Sequence, residues 1–402
     1  MKKLIYLDNA ATTCMRREAY EKMLPYFTEY YGNPAGAYEL ATNSWDAMEE
    51  SREQIATLIG AKKEEIVFTS GGTESDNYAL KGYALRHKDK GRHIITSKIE
   101  HHGVLNTCKF LEKNGYNVTY LDVDEYGMVK LDMLKNAIKT DTILISIMMA
   151  NNEVGSIQPI YEIGNIARQK GVMLHTDAVQ ACGHIPINVK EQKIGMLSAS
   201  GHKFGGPKGV GFLYVQSGVE LEPFMHGGNQ ESGRRAGTGN VPSVVGMGEA
   251  ARLADIEMKE HMEYTVRLRD YAITRVLKEI PFTRLNGHRV KRLPGNMSFS
   301  FQFVEGEAVQ VMLDMRGIYV STGSACSTGE SQPSHVLLAM GLNEEIANSV
   351  VRMTISRYTT KKDIDIAVNA MKEIVFKQRQ LSSEYKEIIN PRKRCGWRKW
   401  NG

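Results

Sequence analysis

The residue with the clearest chemical promise is a lysine set among glycines. Ser198-Ala199-Ser200-Gly201-His202-Lys203 runs directly into Phe204-Gly205-Gly206-Pro207-Lys208-Gly209. A lysine that follows an apolar run and is pinned by glycines and a proline suits Schiff-base formation, because desolvation lowers the ammonium pKa and frees the amine. The same pattern also fits a solvated lysine in a glycine-rich turn. The rest of the chain has to decide between the two.

Four other segments bear on that choice. Ile66-Val67-Phe68-Thr69-Ser70-Gly71-Gly72-Thr73-Glu74-Ser75 reads as a strand entering a helix through glycines, an arrangement whose backbone N–H groups cradle an anion. It is neither a Walker loop nor a dinucleotide fingerprint, and a plain capped helix is the bland alternative. Asp177 ends an apolar run, where ligands of open α/β sheets bind, and its carboxylate suits a protonated ring nitrogen or a helix N-cap. His101, in Lys98-Ile99-Glu100-His101-His102, can stack on a ring and shuttle protons. Adjacent histidines rarely converge on one ion and no partner pair has ligand spacing, so no metal is expected. Cys326 lies among the small polar residues Ser321-Thr322-Gly323-Ser324-Ala325 and Ser327-Thr328-Gly329, a setting for an exposed nucleophile or an incidental loop thiol. A phosphate cradle, a ring acid, a stacking imidazole and a Schiff-base lysine together point to pyridoxal 5'-phosphate.

The composition allows this and narrows the class. With 402 residues, 42% hydrophobic and 24% charged, the chain is long enough for a large and a smaller domain around ordinary cores. The net charge of +5 (51 basic, 46 acidic) is concentrated in the tail Pro391-Arg392-Lys393-Arg394-Cys395-Gly396-Trp397-Arg398-Lys399-Trp400, leaving the body near neutral. Cys14, Cys108, Cys182, Cys326 and Cys395 are odd in number, dispersed and without CxxC spacing, which argues against a disulfide framework or zinc and for a reducing cytoplasm. No apolar run reaches membrane-spanning length, and Lys2-Lys3 precede only four apolar residues, too few for a signal peptide.

Short apolar runs alternate with amphipathic stretches, the pattern of a parallel sheet covered by helices. Strands are expected at 66–69, 93–96, 117–121, 142–148, 172–175, 196–199 and 211–215, with helices at 73–87, 104–113, 131–138 and 160–170. A helix over 244–280 leads to a second unit with strands at 296–302, 318–321 and 351–356, and helices at 306–315 and from 361. The expected organisation is a large cofactor-binding domain at 15–260, a small α+β domain built from 1–14 and 261–390 that carries the cysteine loop, and a basic mobile tail at 391–402.

In this order the segments closely resemble the cysteine desulfurases, fold-type-I pyridoxal-phosphate enzymes of the class V aminotransferase group. The match runs from Tyr6-Leu7-Asp8-Asn9-Ala10-Ala11-Thr12-Thr13 through Ser70 to Ser75, Glu100-His101, Asn151-Asn152-Glu153-Val154-Gly155, Asp177-Ala178-Val179-Gln180 and Ser200-Gly201-His202-Lys203 to Ser356-Arg357-Tyr358-Thr359. The long loop around Cys326 and the following Pro333-Ser334-His335-Val336-Leu337 are similar to the group I branch. The resemblance implies a PLP-dependent transferase fold with a mainly parallel seven-stranded sheet. It also implies L-cysteine as substrate, L-alanine as product and transfer of sulfur to an enzyme persulfide.

By the same resemblance Lys203 would hold the cofactor and act on the Cα proton, Asp177 would pair with the ring nitrogen, Gln180 would bond the ring hydroxyl, and His101 would stack on the ring. Gly72, Thr73, Ser200 and His202 would hold the phosphate, with Thr238 reaching in from the second copy of a homodimer. Asn33, Asn152 and Arg357 would hold the substrate carboxylate, Asn152 also bordering the cofactor. Cys326 would receive the sulfur, for delivery to an acceptor such as an iron-sulfur scaffold or a thiolation enzyme. The chain departs from the family pattern at Ala35-Gly36-Ala37-Tyr38-Glu39-Leu40-Ala41, at Cys14 for a usual proline, at Ser356 for a usual glycine and at Ser232 for a usual arginine. Selenocysteine lysis or another β-elimination on the same scaffold is the nearer alternative, and a non-catalytic partner-binding member of the fold the more distant one. The basic tail leaves open a sulfur relay through Cys395 and a weak contact with nucleic acid.

Overall fold

The structure, a computed structural model, describes residues 4–322 and 333–389, so Cys326 and Cys395 lie outside the described residues. Its centre is a seven-stranded sheet in the spatial order Ile66–Thr69, Gly211–Val215, Met196–Ser200, Met173–Asp177, Thr142–Ser146, His93–Ser97, Asn117–Leu121. Gly211–Val215 runs antiparallel to both neighbours and every other pairing is parallel. Helices on both faces bury most of these strands throughout, which is why they read as continuous apolar runs rather than as alternation. The seven expected strands are therefore all present, three with the expected bounds and four with bounds moved by one or two residues.

Two helical findings differ from the sequence reading. The expected helix at 73–87 is interrupted: Gly72–Asn77 and Tyr83–Arg86 flank a wider turn at Tyr78–Gly82. The 21-residue helix Glu39–Ile59 was not expected at all. It buries Ser44, Ser51 and Arg52 beside Met48, Ile55 and Ile59, so its core stripe is too polar to register as hydrophobic periodicity. Tyr38 provides no side-chain cap at its start, and Gly60, at φ 68°, ends it in the left-handed conformation.

The helix Val241–Glu279 packs along Glu39–Ile59 with its first half and enters a second core with Leu268, Ala272, Ile273 and Val276. That core is covered on one side by a three-stranded antiparallel sheet of Val350–Thr354, Asn296–Phe301 and Thr283–Leu285. Helices Gly306–Asp314 and Lys361–Arg379 contribute Val309, Leu313, Ile364, Met371 and Ile374 to it. Ile5 and Leu7 belong to the same core, and Ile5–Tyr6 pairs in parallel with Ile318–Tyr319. The chain therefore starts in the small core and passes from there across the carboxyl ends of the main strands.

Arg352 holds this crossing together. It is buried, donates to Asp8 Oδ1 at 2.8 Å and to the Asn152 carbonyl at 3.1 Å, and so ties the first segment, the small sheet and the large sheet into one joint. Breaking a buried ion pair costs about 3–5 kcal/mol, and the partial exposure of Asp8 lowers that figure. Arg352→Met is expected to lower the unfolding free energy by about 2–3 kcal/mol, measured by urea denaturation against the parent chain.

Candidate active site

The carboxyl ends of the sheet strands deliver the site. Met196–Ser200 passes into a single 3₁₀ turn, Gly201–Lys203, which places Lys203 at the carboxyl end of an inner strand. Its Nζ donates to the Ala10 carbonyl at 2.6 Å and to the Ala11 carbonyl at 2.9 Å. Gln180 Nε2 reaches the same Ala10 carbonyl at 2.9 Å, and His184 Nε2 donates to the Lys203 carbonyl at 2.8 Å. Lys203 and Gln180 thus converge on one backbone oxygen although 23 positions separate them.

Asp177 closes the neighbouring strand and accepts the Val179 N–H at 2.9 Å. Its carboxylate, that of Asp76 and the His101 ring bring their ligating atoms within 4.8 Å of one another. Burial raises both acids, and the Asp177 charge raises Asp76 further; Ser198 offsets part of the rise at Asp76, whereas His101, the Val179 N–H and Lys203 all offset it at Asp177. Two carboxylates in so dry a place cannot both ionise readily, so Asp76 is the one that keeps its proton. His101 accepts the Gly103 N–H on Nδ1 at 3.0 Å, which leaves a ring proton on Nε2.

Gly72, Thr73, Ser200 and His202 line one cavity of about 450 Å³ together with Ala11, Thr12 and Lys208. The helix starting at Gly72 has no side-chain cap, so its first N–H groups, which have no intrahelical acceptor, are left for a ligand. Burial pushes the His202 imidazole down to about 4, and Nδ1 lies 3.1 Å from Thr12 Oγ1, so the neutral ring offers its other nitrogen to the cavity. A Cβ at Gly72 would stand 2.5 Å from Val179 Cγ2, a close approach that only glycine permits. An uncapped helix start, a neutral imidazole donor, a buried acid facing an imidazole and a lysine at the carboxyl end of an inner strand fit a phosphorylated pyridine aldehyde such as pyridoxal 5'-phosphate.

Four of the expected residues stand apart from this group. Asn33 and Thr238 line a separate cavity of about 860 Å³, which meets the phosphate cavity at Ser70 and Gly209. Arg357 lies with Cys14, Arg16 and Glu257 around a small cavity of about 60 Å³ behind Lys203, and its guanidinium contacts Glu257. Asn152 is half-buried at the joint, its carbonyl taken by Arg352 and by Asn296 Nδ2 at 3.3 Å.

Sequence reasoning missed Asp76, Glu153 and the Ala10 and Ala11 carbonyls. Asp76 stands three residues after Thr73, one helical turn on, and that spacing was its available signal. Backbone carbonyls carry no residue-type signal. Glu153 Oε2 accepts from Ser334 Oγ at 2.5 Å, while His335 donates to the Glu100 carbonyl at 3.0 Å and lies against the His102 ring, centroids 4.8 Å apart. On the other side Ser321 exchanges backbone hydrogen bonds with Arg352. The chain after 332 is therefore fixed beside the His101–His102 segment, and the chain before 323 is fixed to Arg352. Among the described cysteines Cys14 is exposed, whereas Cys108 and Cys182 are buried and burial pushes both thiols up, Cys182 to about 12.

Two outcomes follow from this geometry. Gly72→Ala forces Val179 and the helix start apart at a cost of about 1–3 kcal/mol, so affinity for pyridoxal 5'-phosphate, read by fluorescence titration, falls roughly tenfold. Burial lifts the Glu153 carboxyl from 4.5 to about 7, so the unfolded chain ionises it first and stability is lost as pH rises between those values. Glu153→Gln, which keeps an acceptor for Ser334, is expected to remove roughly 3 kcal/mol of the loss between pH 5 and pH 8 in urea denaturation.

Comparison with known proteins bears on the same site. The family model described as aminotransferase class-V matches residues 5–366. The chain is 53% identical to a cysteine desulfurase IscS of Methanosarcina thermophila, over 94% of each chain. It is 51% identical to a protein of that name from Dictyoglomus turgidum, over 95% of this chain and 97% of the relative. A solved NifS-like protein superposes with a TM-score of 0.88 at 38% identity, covering 93% of this chain and all of that one. SspA, solved in complex with cysteine, superposes with a TM-score of 0.78 at 37% identity, over 89% of this chain and all of that one.

Proposed function

The chain belongs to the cysteine desulfurases of the aminotransferase class-V family, and from that membership we propose that it converts L-cysteine to L-alanine and keeps the sulfur as a persulfide on Cys326. The observation that carries this reading is the convergence of Lys203, Gln180, Asp177 and His101 beside an anion cradle at one end of the sheet. Pyridoxal 5'-phosphate would be held by Lys203, Asp177, Gln180, His101 and the cradle of Gly72, Thr73, Ser200 and His202, and when bound would supply an electron sink for negative charge at the substrate Cα.

The remaining work falls to side chains. Asp76 is raised well above the usual carboxylate range while His101, the Val179 N–H and Lys203 favour the Asp177 anion, so Asp177 is the acid that would hold a proton on the ring nitrogen. Lys203 Nζ takes the Cα proton, with the Ala10 and Ala11 carbonyls as the acceptors that orient it. The His101 ring lies beside the two acids and, with Nδ1 taken by the Gly103 N–H, offers a mobile proton on Nε2. Asn152 and Arg357 grip the substrate carboxylate, for which a guanidinium fork is suited. The Cys326 thiolate then attacks the substrate sulfur: the S–S bond forms, the C–S bond breaks, and its electron pair stays with the three-carbon fragment that leaves as L-alanine. Thiol plus cysteine gives persulfide plus alanine, so no external oxidant is needed.

A homodimer is part of the proposal. Thr238 is exposed and lines the cavity that adjoins the phosphate cradle, a place from which a second copy can complete the cradle. The sulfur acceptor is an iron-sulfur scaffold or a thiolation enzyme, and the working compartment is the cytoplasm. Purified holoenzyme given L-cysteine and a reductant is expected to release alanine and sulfide in equal amounts. Cys326→Ser should lose at least about 99% of sulfide release and Lys203→Ala should lose turnover. Sulfide release by Cys326→Ser at the parent rate would overturn the persulfide reading.

A further inference from the structure

The carboxylate-binding arginine is already engaged in this structure, and by a carboxylate of the chain itself. Arg357 Nη1 contacts Glu257 Oε2, and Glu257 is at the same time gripped by Arg16 through Nη1 at 2.7 Å and Nη2 at 3.0 Å. The three partners are not equally free. Arg16 is 6% exposed, its backbone N–H donates to the Gly205 carbonyl at 2.8 Å, and its stem lies where a Cβ on Gly205 would be 2.6 Å away. Glu257 sits on the long helix Val241–Glu279, and both of its carboxylate oxygens are held by the Arg16 fork. Arg357, with its side chain 31% exposed, follows the last small-sheet strand in a turn closed by the Thr359 N–H on the Ser356 carbonyl. Arg357 is the partner that can move at small cost, since a partly exposed ion pair contributes only about 0–1 kcal/mol.

The place is right for a substrate. The cavity around this triad is bordered by Asn9, His184 and Phe204, and His184 is hydrogen-bonded to the Lys203 carbonyl. The hydrogen bonds from Arg16, then those from Arg357, hold the Glu257 carboxyl down at about 2, so it competes as an anion at every working pH. Cys14 and Ser356, two of the positions where the chain departs from its family's pattern, line this same cavity.

We propose that Glu257 is the resident counter-ion of Arg357, and that the amino-acid substrate binds by exchanging its α-carboxylate for that of Glu257. Resting on the reading of Arg357 as the substrate clamp, this makes Glu257 a positioning residue that lowers affinity for every α-carboxylate and keeps the empty clamp folded onto the protein. Arg16 holds Glu257 in place after the exchange, so the released carboxylate is never left unpaired.

The test uses ligands that differ only in the carboxylate. Holoenzyme is titrated by calorimetry with L-alanine and with L-alaninamide. Glu257→Gln is expected to bind L-alanine about three- to fivefold more tightly, the equivalent of a surface ion pair, with L-alaninamide unchanged. Glu257→Asp, which keeps a charge for Arg16 while shortening the reach to Arg357, should shift in the same direction and serves where the amide variant does not fold. L-Alanine binding that is unchanged or weaker in the folded variant, or equal tightening of both ligands, overturns the exchange. Arg357→Gln separates the two ideas: it should weaken L-alanine and spare L-alaninamide, and if L-alanine is unaffected the clamp reading itself fails.

Discussion

The site depends on what is bound around one short stretch of backbone, Asn9-Ala10-Ala11. The Ala10 N–H donates to Thr354 Oγ1 at 2.8 Å, and Asn9 Nδ2 to the Thr354 carbonyl at 2.7 Å, so the small sheet fixes the stretch in space. The carbonyls of Ala10 and Ala11 then receive Lys203, and that of Ala10 also receives Gln180. A residue contributed by one core thus sets the position of the reactive amine of the other. The two cores are coupled where the chemistry takes place, and Arg352 secures that coupling from below through Asp8 and Asn152.

Around that junction the protein gathers buried acids. Asp76, Glu100, Glu153 and Asp177 all lie at or near the carboxyl ends of the strands, and burial raises each of them. Desolvation on this scale works against folding at neutral pH, so the acids are retained for what they do. Asp177 has His101, the Val179 N–H and Lys203 to favour its anion, whereas Asp76 faces the Asp177 charge and is raised well above the usual carboxylate range. Glu153 and Glu100 spend their hydrogen-bonding capacity on Ser334, Ser97 and the Met148 N–H, fixing backbone near His101.

Much of this was legible in the residues because it follows from local chemistry. The seven strands of the main sheet announce themselves as apolar runs, and the glycine-rich helix start and the lysine after Met196–Ser200 are contiguous signals. The helix Glu39–Ile59 was not legible, since its buried face contains serines and an arginine whose partner, Glu231, lies 179 positions away. Asp76 was hidden for a related reason: its significance comes from Asp177, 101 positions on, and no spacing rule connects two acids brought together by a sheet. The grouping of Arg357 with Glu257 and Arg16 is of the same kind, a long-range pairing that only the packing of the long helix reveals.

The two buried thiols have a consequence for a protein that handles reactive sulfur. Cys182 lies two positions beyond Gln180, yet its thiol is fully buried and resists ionisation. Cys108 is held in the same chemical silence on the other face of the sheet. A thiol that neither ionises nor meets solvent cannot compete for a persulfide, so the fold quarantines these atoms from the exchange chemistry they would otherwise enter. Fidelity of sulfur traffic is thereby built into core packing, well away from any residue that touches the substrate.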